Sequence, residues 1–268
     1  MTEKYDRLLA LLKSYQSVAV AFSGGVDSTF LLAAAKEALG EQVVAVIGRS
    51  PTYPKRELDE AVDLADGIGV RYEIIDTREM DNPEFYENSP KRCYHCKTTL
   101  FETIGNVAAK LGMKVMVEGS NADDTGDYRP GMEAAKQLGV KTPLLDVGMT
   151  KAEIRAQSKA MGLSTWDKPA MACLSSRIPY GESITLRRLS RIEQAEYALK
   201  DMGLFALRVR DHGNVARIEV APSQIATLAT EAWRTRITSA LNDAGYQYVC
   251  LDLVGYRTGA MNEVLKKE

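Results

Sequence analysis

One local pattern constrains this chain more than any other. The apolar run Val18-Ala-Val-Ala-Phe22 ends in Ser23-Gly24-Gly25-Val26-Asp27-Ser28, and Phe30, Leu31, Ala34, Ala35 and Ala38 then recur at helical spacing. A strand that turns through two glycines directly into a helix predicts a buried parallel strand followed by a crossover. Glycines let the backbone wrap closely around an anion, Ser23 and Ser28 add hydroxyl donors, and the helix start offers free N–H groups and its positive dipole end. Ser and Asp also cap ordinary helices, but strand, two glycines and helix in that order point to a phosphate site. Neither the Walker spacing nor the dinucleotide G-x-G-x-x-G spacing fits, so a different nucleotide loop is implied.

The same alternation continues. Residues 43–47 form an apolar run, and Leu58, Ala61, Val62, Ala65 and Ile68 make one stripe of a helix over about 54–68. Further strands are expected at 72–75 and 115–117, with a helix over about 97–111 between them, which together predict an α/β domain built on an open parallel sheet. Two polar stretches, about 77–96 and 119–130, are expected to be irregular and functional. Thr150-Lys-Ala-Glu153 has the form of a capping box and opens a helix to about 161; a loop over about 166–181, holding Cys173, follows it.

From Thr185 the pattern becomes helix (to about 202), strand (about 205–210), turn at His212-Gly213-Asn214, strand (215–220), helix (about 223–244) and strand (248–254). This predicts a smaller α+β domain, and the division expected is 1–182 for nucleotide binding and 183–268 for substrate binding and oligomer contacts.

Composition excludes several classes. Of the 268 residues, 45% are hydrophobic and 26% charged, ample for a core, and the net charge of −2 supplies no global basic field for a long nucleic acid. No run approaches the roughly 18 apolar residues of a membrane span, and Met-Thr-Glu-Lys-Tyr-Asp lacks the basic start of a secretion signal, so a cytoplasmic protein without membrane or nucleic-acid partners is expected. Four cysteines, Cys93, Cys96, Cys173 and Cys250, are too few for a disulfide scaffold, and their spacing suggests metal or redox chemistry.

Ser23–Ser28 resembles the loop of the pyrophosphatase-loop ATPases, which split ATP to AMP and pyrophosphate, and Glu118-Gly-Ser-Asn-Ala-Asp-Asp124 resembles that superfamily's nucleotide-framing loop after the fourth strand. Within the superfamily, Asp124-Thr-Gly-Asp-Tyr-Arg-Pro-Gly131, Cys173-Leu-Ser-Ser-Arg-Ile-Pro-Tyr-Gly181, Leu207-Arg-Val-Arg210 and Gly255-Tyr-Arg-Thr-Gly-Ala-Met-Asn262 resemble the LarE family of ATP-dependent sulfur transferases. That resemblance implies adenylation of a carboxylate of pyridinium-3,5-biscarboxylic acid mononucleotide and its conversion to a thiocarboxylate, in nickel-pincer cofactor synthesis. It implies ATP contacts from Ser23, Gly24, Gly25, Asp27, Ser28, Glu118, Asn121 and Asp124, with Mg²⁺ at Asp27 and Asp124. Lys97, Lys151 and Arg177 would neutralise the pyrophosphate, although lone lysines are as often solvated helix residues. A homo-oligomer is implied by the family alone.

Cys173 matches the position of the cysteine that gives up its own sulfur in sacrificial members of the family. Cys93-Tyr-His-Cys96 departs from that type. Two thiolates of a C-x-x-C with a third from a distant loop suit a 4Fe–4S cluster with one open iron, which makes Cys93, Cys96 and Cys173 catalytic in sulfur delivery; a zinc site and a dithiol redox pair stay open as alternatives. Cys250 is expected in a strand core. Arg208 and Arg210 occupy alternate positions of one strand and therefore one face, where they can clamp a phosphate or carboxylate. By resemblance Glu196, Glu219 and Arg257 join Arg208 at the substrate, while an ion-pair network among Arg208, Arg210, Arg217, Glu196 and Glu219 is the plainer alternative. Arg187, Arg188 and Arg191 read as a solvated helix face. A tRNA thiolase is the main alternative function, and a non-catalytic nucleotide or iron–sulfur sensor a second.

Overall fold

The computed structural model describes residues 3–126, 130–257 and 259–260. Residues 127–129 of the 124–131 motif, and 258, 261 and 262 of the 255–262 motif, lie outside the described residues. The chain divides into two compact units. The first runs to Phe85 and resumes over Pro90–Met171; the second takes Tyr86–Ser89 and the chain from Ala172.

The first unit is a four-stranded, fully parallel sheet in the order β3-β2-β1-β4, formed by β1 (Val18–Phe22), β2 (Val43–Arg49), β3 (Tyr72–Asp76) and β4 (Val115–Val117). Its helices are α1 (Glu3–Tyr15), α2 (Val26–Leu39), α3 (Lys55–Ile68), α4 (Arg92–Lys110), α5 (Pro130–Gln137) and α6 (Lys151–Ala160). Side-chain alternation along the strands makes two cores, one per face. Val18, Val20, Phe22, Val43, Ala45 and Ile47 pack with Phe30, Leu31 and Ala61 on one side; Ala19, Val44 and Val46 pack with Phe101, Ile104 and Ala108 of α4 on the other.

This order sets the site. The sheet grows outward from β1 to β3 and then returns to the opposite flank of β1 with β4, so the connections leaving β1 and β4 part at their carboxyl ends. Such a switch point is where open α/β sheets leave a crevice for ligand.

One helix boundary of this unit differs from expectation. The helix expected from about 97 begins at Arg92, so Cys93 and Cys96 lie on its first two turns and not in an irregular stretch. Arg92-Cys-Tyr-His-Cys-Lys carries no apolar stripe to announce it; Gly131 packs close to this turn, where a Cβ would stand 2.9 Å from Lys97 Cγ and 3.6 Å from the Cys93 carbonyl oxygen. The capping box of α6 forms as expected: the Thr150 side chain accepts from the Glu153 N–H, and the Glu153 carboxylate accepts from the Thr150 N–H at 2.8 Å.

The second unit carries α7 (Leu186–Asp201), β5 (Arg208–His212), β6 (Val215–Glu219), α8 (Glu231–Asp243) and β7 (Tyr248–Leu251), with β5 antiparallel and β7 parallel to β6. Its core is Leu199, Leu207, Val209, Ile218, Val220, Ile237 and Leu241 with their neighbours. The unit includes the Cys173 turn, so the change of unit falls at Met171/Ala172 and not between 182 and 183. Tyr86–Ser89 joins it because the Asn88 side-chain amide donates to the carbonyls of Pro179 (2.7 Å) and Glu182 (3.0 Å) and Ile184 N–H donates to the Tyr86 carbonyl (2.8 Å).

The helix expected over 223–244 is broken into a 3₁₀ turn at Pro222–Gln224, one turn at Ile225–Leu228, and α8, because Thr230 adopts an extended backbone before α8 starts. Cys250 is exposed, against the expected strand core, since β7 is an edge strand whose Val249 and Leu251 face the core and whose Tyr248 and Cys250 face outward. Arg188 and Arg191 do not form a solvated face. Both pair with Asp211, which is wholly buried and also accepts from Tyr246 Oη at 3.0 Å.

Candidate functional site

Gly24 has φ +67°, a left-handed conformation suited to glycine, and a Cβ on it would stand 3.1 Å from Ala61 Cβ of α3. The loop therefore lies tight against α3, and α2 begins immediately after it at Val26. Ser28 Oγ closes the turn by donating to the Gly25 carbonyl at 3.2 Å and sits 3.1 Å from Ser23 Oγ. The result is a ring of backbone and hydroxyl groups at the N-terminus of a 14-residue helix, an arrangement suited to an anion.

The loop after β4 meets it. Asn121 Nδ2 donates to Asp27 Oδ1 at 3.3 Å, and Lys151 Nζ donates to Asp27 Oδ2. A Cβ on Gly119 would come within 3.1 Å of the Ser28 nitrogen and 3.2 Å of the Asp27 carbonyl carbon, so any larger residue would push the two loops apart by a few tenths of an ångström. Glu118, nearly buried, accepts from Lys97 Nζ at 3.3 Å and from Ser120 Oγ. Asp124 is buried and closes its own loop by accepting from the Asn121 N–H at 2.9 Å. The expected residues Ser23, Gly24, Gly25, Asp27, Ser28, Lys97, Glu118, Asn121, Asp124 and Lys151 are thus gathered on the loops and helix starts at the carboxyl edge of β1 and β4.

In the second unit the Cys173 turn is held by two buried arginines. Arg177 makes a bidentate pair with Glu196, both contacts at 2.8 Å, and its remaining nitrogen donates to the carbonyls of Ala172 (2.6 Å) and Cys173 (3.0 Å). Both side chains are 4% exposed. Burial opposes the charge on Arg177, but Glu196 outweighs it and raises the guanidinium above the usual arginine value; burial likewise pushes Glu196 up, and Arg177 with the Val209 N–H brings it below the usual carboxylate value. These contacts make Arg177 a strut for the Cys173 turn. Arg210 pairs with Glu219 at 2.7 Å and donates to the Ser176 carbonyl at 2.8 Å, tying the same turn to β5.

Arg208 stacks 5.0 Å from the Tyr256 ring, and burial together with nearby Arg177 lowers its pKa below the usual arginine value. Arg257 donates to the Gly255 carbonyl at 3.2 Å. Arg210 and Glu219 form a buried ion pair of the kind the plainer alternative names, whereas Glu196 pairs with Arg177, outside that network. Arg217 extends it through Glu219 at 3.4 Å and through Asp252.

Cys93 is exposed and Cys96 half-buried, three residues apart on α4 and so on one face. Cys173 is half-buried at the start of its turn. Within either unit, no group of three or more His, Cys, Asp or Glu side chains among the described residues forms a ready metal site. Sequence reasoning missed Lys168, Asn88, Asp211 and Arg155. Each acts through contacts to distant backbone or side chains, and none belongs to a local motif.

A glycine loop at the switch point of a parallel sheet, with a lysine-paired aspartate at the helix start, defines a nucleotide-using α/β domain. The family model described as NAD synthase matches residues 9–159. An uncharacterized protein of Synechocystis sp. is 40% identical over all of both chains. Pyridinium-3,5-bisthiocarboxylic acid mononucleotide synthase of Lactiplantibacillus plantarum is 34% identical over 100% of this chain and 96% of its own. The tRNA-specific 2-thiouridylase MnmA of Frankia alni is 31% identical over only 57% of this chain and 53% of its own. The chain belongs to the NAD synthase family of ATP-using pyrophosphatase-loop enzymes, and within it to the LarE group.

Proposed function

We propose that this enzyme is an ATP-dependent sulfur transferase that converts a carboxylate of pyridinium-3,5-biscarboxylic acid mononucleotide to a thiocarboxylate, a step of nickel-pincer cofactor synthesis. The observation that carries the proposal is the 34% identity to the synthase over the whole of this chain, both units included. The partial match to the thiouridylase stops short of that, and a net charge of −2 offers bulk tRNA little attraction.

A carboxylate is a poor acyl donor. Its oxygen attacks the α-phosphorus of ATP, the bond to the β-phosphate breaks, and pyrophosphate leaves. A sulfur nucleophile then attacks the acyl carbon, and AMP leaves with its oxygen. Gly24, Gly25, Ser23 and Ser28 bind the departing pyrophosphate, Lys97 and Lys151 neutralise it, and Asp27 with Asp124 would hold Mg²⁺. Lys151 shifts from Asp27 to phosphate when the nucleotide binds. Glu118 and Asn121 frame the nucleotide. Arg208, Arg210 and Arg257 face the anionic groups of the substrate, with Glu196 and Glu219 setting the arginine geometry; Arg210 Nε, buried and without a partner among the described residues, suits such an anion.

Cys93, Cys96 and Cys173 would hold a 4Fe–4S cluster. Two thiols one helical turn apart on an accessible face fit that donor set, provided Cys173 supplies the third. Such a cluster, when bound, supplies an open iron for an extra sulfide. The enzyme is proposed to be cytoplasmic and homo-oligomeric; no helix among the described residues is long and apolar enough to cross a membrane.

The test is ATP–pyrophosphate exchange. Exchange that requires the pyridinium mononucleotide supports the proposal, whereas exchange that requires tRNA, or none with either, overturns it.

A further inference from the structure

Lys168 lies on the segment after α6, and its ammonium enters the back of the glycine loop. Nζ is 3.1 Å from the Gly24 carbonyl oxygen, 3.1 Å from Glu57 Oε2 and 3.0 Å from Glu60 Oε2. The Lys168 side chain is 12% exposed and Glu57 15%, so that pair is largely shielded from water, while Glu60 meets the ammonium from the half-exposed side. Glu57 and Glu60 stand three apart on the first turns of α3, the helix whose Ala61 supports Gly24.

The segment that carries Lys168 is itself anchored. Arg155 of α6 donates to the carbonyls of Trp166 (2.8 Å) and Lys168 (2.7 Å), and the Lys168 N–H donates to the Thr165 carbonyl at 3.0 Å. One end of α6 thus sends Lys151 to Asp27, and the chain leaving its other end sends Lys168 to Gly24. The glycine loop is gripped from both sides.

We propose that Lys168 is a positioning residue for pyrophosphate binding, an inference that rests on the ATP function proposed above. A trans peptide points its C=O and the following N–H in opposite directions. Holding the Gly24 carbonyl from behind therefore directs the Gly25 N–H to the side where the anion lies. Gly24 and Gly25 lack the side chains that would otherwise restrict rotation of this peptide, so an external tie has a purpose here. The two glutamates absorb the positive charge of Lys168. Its contribution is orientation of the loop, and the direct charge on pyrophosphate comes from Lys97 and Lys151.

The experiment compares wild type with Lys168→Met and Lys168→Arg by calorimetry, using inorganic pyrophosphate and AMP as separate probes, with the thermal midpoint measured for each. Lys168→Met is expected to weaken pyrophosphate at least about tenfold, the loss of one charge-assisted contact. AMP, which lacks the leaving phosphates, should bind within about twofold of wild type on the same argument. Lys168→Arg keeps a cationic donor and should recover most of the pyrophosphate affinity. Equal pyrophosphate binding by wild type and Lys168→Met overturns the proposal. So does a parallel loss of both probes, which marks a merely structural lysine. If Lys168→Met does not fold, Lys168→Arg and Lys168→Gln carry the comparison: pyrophosphate affinity that follows donor strength, Arg above Gln, supports the role, and equal affinity overturns it. A wild-type protein that binds neither probe removes the ATP function itself, and the inference with it.

Discussion

Asn121, in the loop after β4, donates to Asp27, at the start of the helix after β1, across 3.3 Å. The contact joins the two connections that diverge at the switch point, and it sets the aspartate between an amide and the Lys151 ammonium. Asp27→Ala should abolish pyrophosphate release, lowering the exchange rate by at least about a hundredfold, the usual scale for removing one charged group from a transition-state site. The thermal midpoint should change little, since Asp27 is part of the half-solvated edge and not of either core. Initial exchange rates beside a melting curve check both halves.

The close approach of the two loops gives a second prediction. Gly119→Ala places a methyl group 3.1 Å from the Ser28 nitrogen, and the neighbour is backbone that cannot swing away. The cost should be about 1–3 kcal/mol, divided between the fold and ATP affinity. Urea denaturation with and without ATP separates the two shares.

Breaking the Arg177–Glu196 pair should be severe. Both groups are buried, so Glu196→Gln leaves an uncompensated guanidinium and should cost about 3–5 kcal/mol. The apolar double variant Arg177→Met/Glu196→Leu should regain much of that stability, yet still lose sulfur transfer because the Cys173 turn is no longer held. A double variant as unstable as the single one would contradict the role assigned to desolvation.

Glu153 supplies a pH prediction. Its carboxyl, hydrogen-bonded first by Lys4 and then by the Thr150 N–H and hydroxyl, is held down to about 2 from the ordinary 4.5. A carboxyl depressed in the folded state stabilises above its unfolded value and loses that contribution as pH falls toward its folded value. Wild type should therefore weaken between about pH 4.5 and pH 2 more steeply than Glu153→Gln, as read from urea midpoints across that window.

How much of this was legible in sequence depends on the range of each signal. β1, β2, β4 and the capping box at Thr150 were, because an apolar run, a glycine turn and a Thr-x-x-Glu spacing are complete within a few residues. The edge residues of the first unit were found for the same reason, through two motifs that happen to meet. The start of α4 was not, because its first turns are polar and carry no apolar stripe. The Lys168 tie to Gly24 spans 144 residues, and no local pattern announces it. Arg188 and Arg191 look like a solvated stripe until Asp211, on a strand that follows, is seen buried beneath them.

The cysteines divide the mechanism into separable steps. Cys93→Ala, Cys96→Ala and Cys173→Ala should each leave ATP–pyrophosphate exchange intact and abolish thiocarboxylate formation. Iron and acid-labile sulfide, measured on anaerobically purified wild type and Cys93→Ala, check the cluster itself: about four irons per chain, lost in the variant, is the expected result.

The most direct measurement is the mass of the product. The enzyme is incubated without oxygen with ATP, Mg²⁺, sulfide and pyridinium-3,5-biscarboxylic acid mononucleotide, and the mononucleotide is weighed by mass spectrometry alongside the AMP released. A product heavier by the difference between sulfur and oxygen, with one AMP formed per exchange, is what the account predicts. AMP formed with the mononucleotide unchanged, or a tRNA that gains the sulfur instead, would contradict it.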